Sequence, residues 1–148
     1  MTSTRSILIF FVGAALLYVA SALIAGIFGY SVFNEGQFYP PSANAIPFLA
    51  PIPPQAVILP TEALHGVLIA LVIFPFRKRI QELGRVYGGL ATASVIFVVG
   101  ELGDVLEQSI YYVPLPLGFI TANVLEILVQ ALIFGQLLFI LEQRFGRH

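Results

Sequence analysis

Hydrophobic and polar positions divide the chain into four apolar runs joined by three connectors of different character. Residues 6–33 carry no charge and are long enough to cross a ~30 Å hydrocarbon core with some tilt. Further runs cover about 60–76, 86–110 and 117–141, so the pattern predicts four membrane-spanning helices. Ser21, Ala25 and Gly29 recur at four-residue spacing, with Ala22 and Gly26 alongside, and Gly84, Gly88 and Thr92 form a second such ridge. Small residues in this pattern let a neighbouring helix approach closely, and we read both ridges as packing faces. Ala20-Ser21-Ala22 looks like a signal cleavage site, but the apolar run continues well past it, so the segment is read as a retained span.

The connectors separate by proline, charge and aromatic content. Residues 34–59 hold Pro40, Pro41, Pro47, Pro51, Pro53 and Pro54, which rules out a continuous helix. Residues 45–52 are nonetheless apolar and uncharged, which predicts a segment lying at the membrane surface or folded down over the bundle mouth, a lid rather than a solvated linker. The second helix is predicted to start at Pro60-Thr61, with Thr61 as cap and Glu62 in the favourable first turn. Pro75 should kink or end it. Arg77, Lys78, Arg79 and Arg85 make the middle connector basic, and Tyr111, Tyr112 and Pro114 mark a short final turn.

Composition fits this picture. The 148 residues leave room for one domain, 1–148; they are 58% hydrophobic and 10% charged, with mean hydropathy +0.93, which points to lipid as the solvent. The net charge of −1 says nothing about partners, and the absence of cysteine excludes disulfides and thiolate metal sites. Every Lys and Arg lies in the N-terminal tail, the middle connector or the C-terminal tail. With four spans these three places share one side, which the positive-inside rule assigns to the cytoplasm together with both termini. The expected fold is an all-α, multi-pass four-helix bundle of the plasma membrane, with the proline-rich connector outside.

Candidate chemistry lies in the acids. An ionised side chain in hydrocarbon costs several kcal/mol or more, yet the third run carries Glu101, Asp104 and Glu107 without a cation. On an ideal helix Ser94, Glu101, Asp104 and Gln108 fall on one stripe, with Glu107 at its edge. Glu62 and His65 face them from the second span, and Asn123, Glu126 and Gln130 from the fourth. At ~1.5 Å rise per residue all fall in the outer half, with Glu62 about 2 Å and Glu126 about 14 Å below the outer end.

These residues support three chemistries. Glu62-x-x-His65 has the spacing of a di-metal carboxylate bundle, so Glu62, His65, Glu101, Asp104 and Glu126 form a candidate divalent-metal set. A second Glu-x-x-His is missing, and the first helix offers only Asn34 and Glu35 at its outer end. Protons are the second candidate, as in a proton or cation pathway, although the inner half offers only Ser94, Gln130 and Gln136 to continue one. The third is a pocket for a lipophilic molecule, with Glu62, His65, Glu101 and Asp104 as its catalytic candidates and Asn123, Gln108 and Gln130 as polar support. The alternative class is an accessory subunit whose acids meet bases on another membrane chain. Expected partners are therefore membrane lipid, a lipophilic small molecule, and a second copy or another membrane subunit, with no nucleic acid. Read alone, His65 is an interior histidine bonded to Glu62, Asn123 and Gln130 are interhelical glue, and Glu82 and Glu142 are solvated.

Overall fold

The computed structural model describes residues 4–39, 41–42, 45–46, 54–101 and 115–145, of which 99–101 as backbone only. Every regular element among them is helical: α1 (Thr4–Ser31), a 3₁₀ turn (Glu35–Phe38), α2 (Gln55–Ile73), a second 3₁₀ turn (Phe74–Phe76), α3 (Arg77–Glu82), α4 (Gly84–Val95), a π-helical turn (Ile96–Glu101) and α5 (Leu117–Phe145). Three stretches are long and apolar enough to cross a membrane: α1, α5 and the run Gln55–Glu82; the helix starting at Gly84 is apolar but shorter.

α1 sits between α2 and α5, and α5 in turn packs on α4. The buried face of α1 is Ser6, Phe10, Ala14, Tyr18, Ser21, Ala25 and Gly29, a single stripe in steps of four and three. It contains the small residues expected to pack. The opposite face exposes Leu8, Leu16, Leu23 and Ile27, an exterior that water solvates poorly. Glycines set how closely the helices approach. A Cβ on Gly66 would lie 2.7 Å from the Ala14 carbonyl oxygen, and one on Gly135 2.7 Å from the Gly89 carbonyl oxygen, so α2 meets α1 and α5 meets α4 backbone to backbone. Gly88 and Thr92 are buried as expected, whereas Gly84 is exposed and takes φ 77 at the turn after α3. Its role is to reverse the chain, not to pack.

The two ends of the bundle differ. Below the α1–α2 crossing a core of Phe10, Ala14, Tyr18, Ala70, Ile73, Ile96, Phe134 and Leu138 fills the interior. Tyr18 and Phe134 stack edge to face at 5.1 Å, and Phe10 meets Phe74 at 5.7 Å. Beyond it lies the basic end. Here the Ser6 hydroxyl donates to the Phe145 carbonyl at 3.1 Å, and the Gln81 amide to the Phe139 carbonyl at 3.3 Å. Arg77 is buried, lies over the Phe74 ring and pairs with Glu142 at 3.4 Å. Glu142 is thus a structural partner rather than a solvated charge, while Glu82 is exposed beside Arg79 at 2.6 Å.

Two elements depart from the sequence expectation. α2 starts at Gln55, not Thr61, and Pro60 lies inside it. Pro54 is extended, its carbonyl accepts from the Val57 and Ile58 N–H groups, and the Thr61 hydroxyl bonds back to the Val57 carbonyl instead of capping. A proline in the second turn removes only one helical bond, so the helix forms through it. Pro75 tightens a turn into 3₁₀ form without stopping the helical path, which runs on to Glu82. The second departure is the π-helical turn at Ile96–Glu101. Its wider turn shifts the helical phase, so Ser94, which is exposed, no longer shares an ideal stripe with position 101. The final turn at 111–114 and most of the lid lie outside the described residues. Ile46 is described: it is buried, and its N–H bonds the Phe38 carbonyl.

Candidate functional site

Above the Gly66 crossing α1 and α2 separate, and the space between them is a cleft of about 510 Å³. Its apolar wall is built by Val19, Ala22, Leu23 and Ile27 of α1 with Ile58 and Leu59 of α2. Its polar side is Glu62, Glu126 and Gln130. A second space of about 340 Å³ shares those three residues and adds Glu35, Tyr39 and Asn123. Carboxylates from three elements therefore face two adjoining spaces, with Glu62 and Glu126 common to both, at the end of the bundle opposite the arginines.

Local backbone chemistry places each of them. α1 ends as the Val32 and Phe33 N–H groups both bond the Phe28 carbonyl. Asn34 then adopts a left-handed conformation (φ 54), which Asn tolerates better than most residues, and turns the chain back on itself. Glu35 is thereby only 4% exposed. Its carboxylate accepts from the Asn123 amide at 3.3 Å and from the Tyr39 hydroxyl. Gly29 makes the room: a Cβ there would collide with the Glu126 carboxyl and lie 2.8 Å from the Glu35 carboxyl oxygen. Phe38 and Tyr39 pack edge-on against Phe119 at 5.5 and 6.0 Å, fixing the turn to the start of α5. Burial, followed by the negative charge of Glu35, pushes the Tyr39 phenol well above its usual range.

Because α2 begins six residues before Thr61, Glu62 lies not in its first turn but about 10 Å into the helix. The helix terminus therefore no longer accounts for its charge, and the cavity becomes the environment that matters. Of the sequence candidates, Glu62, Glu126, Asn123 and Gln130 come together. His65 is exposed, sits edge-on to the Tyr18 ring at 6.0 Å and is not among the residues lining either space. The Glu101 side chain and all of Asp104, Glu107 and Gln108 lie outside the described residues. Among the described residues no three His, Asp or Glu side chains are grouped to hold a metal ion. Sequence reasoning places Glu35 at a helix end and passes over Tyr30 and Tyr39. Asn34-Glu35-Gly36, a turn signal directly after the apolar run, is the available clue.

The assembled site can hold a positively charged group at its acidic end while apolar walls enclose a chain attached to that group. Comparison with known protein families, curated proteins and solved structures gives no match.

Proposed function

We propose that the chain is a multi-pass plasma-membrane protein, both termini cytoplasmic, whose outer-half cleft binds a lipophilic organic cation. The observation that carries this reading is the mixed lining of the cleft: Glu62 and Glu126 on one side, six aliphatic side chains on the other, with Glu35 in the adjoining space that shares the two acids. The lining residues include no Lys or Arg, and the acidic side of the cavity therefore favours a positively charged ligand. The volume is that of a small-molecule site. A nitrogen cation suits the cleft better than a metal ion, since among the described residues no three His, Asp or Glu side chains are grouped to hold one.

The test is titration of dodecylamine into the protein in nanodiscs, with dodecanol and empty nanodiscs as controls. The amine should bind saturably above the controls, and Glu62→Gln with Glu126→Gln should weaken it by tenfold or more, on the order of one lost charge-assisted hydrogen bond. Equal behaviour of amine and alcohol, or indifference to the double substitution, rejects the proposal. A basic helix co-purifying with the chain and lost in that double variant would instead establish the accessory-subunit reading.

A further inference from the structure

Resting on the reading of the cleft as an organic-cation site, we infer that it fills sideways from the outer leaflet. Its ligand is a bilayer-resident amine whose nitrogen turns inward while its hydrocarbon stays among the lipid tails. The observation behind this is that the bundle does not enclose the cleft. Leu23 and Ile27 line it, yet they are 47% and 67% exposed on the outward face of α1. Val19, Leu23 and Ile27 each stand two positions from a member of the buried stripe Ser21, Ala25 and Gly29. At 3.6 residues per turn that places them about 160° round the helix from it. One wall of the cleft therefore runs without a break onto the surface that meets lipid. On the α2 side the rim is Gln55, which is exposed, with Ile58 and Leu59 half-buried beside it.

Depth and chemistry decide the source. Val19 to Ile27 lie roughly 18 to 6 Å from the end of α1 at Ser31. With α1 crossing the membrane, the opening thus lies along the hydrocarbon layer rather than in water. The acids stand deeper, behind the small residues of α1: the Glu126 carboxyl oxygen is 3.7 Å from where a Gly26 Cβ would be, and Ala22 and Glu62 share the lining. An amine in the leaflet reaches them by moving sideways, without drawing its tail through water. Lipid tails are as apolar as leucine, so contact with the cleft wall gains a tail nothing over contact with lipid, and its length and number go unread. Selection falls on the charge. A water-borne amine would instead have to fit all its hydrocarbon into about 510 Å³.

The experiment uses dioctadecylamine, whose two tails confine it to the bilayer and exceed the cleft, with its uncharged acetamide as control. Each is built into nanodiscs holding the wild-type protein, and retained lipid is counted by native mass spectrometry. The amine should be retained as a single copy, about tenfold above the acetamide, as for one charge-assisted hydrogen bond. Excess dodecylamine should displace it, and Glu62→Gln with Glu126→Gln should abolish the preference. If that double variant fails to fold, displacement in the wild-type protein still decides. Binding of dodecylamine without retention of the two-tailed amine overturns lateral filling and leaves the cation site standing. Retention that dodecylamine does not displace, or that the folded double variant keeps, also overturns it, because the lipid then sits elsewhere on the surface. Failure of both amines to bind overturns the inference together with the function it rests on.

Discussion

At the scale of single residues, small side chains and one phenol carry the most testable physics. At Gly66 the atoms a methyl would strike are the Ala14 carbonyl and the Ala15 Cα, which cannot swing aside as a flexible side chain would. Gly66→Ala should lower thermal stability in detergent by about 1–3 kcal/mol, despite the better helix propensity of alanine. Gly26→Ala, whose nearest contact is the Glu126 carboxyl oxygen at an ordinary 3.7 Å, should fall within about 0.5 kcal/mol of the parent. Tyr39 makes a pH prediction. Its folded-state pKa is raised by burial and by Glu35, so the stabilisation is complete below the ordinary phenol value and is lost as pH climbs towards the raised one. Melting temperature should therefore fall above about pH 10, and Tyr39→Phe should flatten that fall.

At the scale of elements, the Arg77–Glu142 pair clamps the end of the α2–α3 run to the last turns of α5. Both side chains are nearly buried, so removing one partner strands the other. Arg77→Met should cost about 3 kcal/mol by chemical denaturation, and Arg77→Met with Glu142→Leu should recover much of that loss. Helix existence and the small-residue faces were legible in the sequence because periodicity and composition speak directly to them, as Ser21, Ala25 and Gly29 illustrate. Pro60 misled because a proline is equally at home at a first residue and in a second turn, and only the hydrogen bonds from Pro54 distinguish the two. The π-helical turn leaves no mark in a hydrophobic pattern, yet it moves position 101 round the axis relative to Ser94. Glu35 was visible as a residue but not as a buried one, since its burial depends on the backbone of Asn34 and on partners more than eighty positions away.

At the scale of the whole molecule, the arrangement sorts charge by end: Arg77, Arg79, Arg85 and Arg144 lie around one end of the packed helices, and Glu35, Glu62 and Glu126 face the cavity near the other. The proposed orientation makes a direct prediction, and the lack of native cysteine makes it easy to read. Ser42→Cys should react with a membrane-impermeant maleimide on intact cells, and Glu82→Cys only after permeabilisation; the reverse pattern would invert the topology.

The edge-to-face pair of Tyr18 and Phe134, both fully buried, lies just beneath the cleft with Ile96 and Leu138 behind it. Among the described residues the cleft is thus closed toward the basic end, and on the proposed reading a ligand enters and leaves on one side. Voltage-clamped bilayers containing the protein should stay electrically silent, and cargo loaded from one face should be recovered on that face alone.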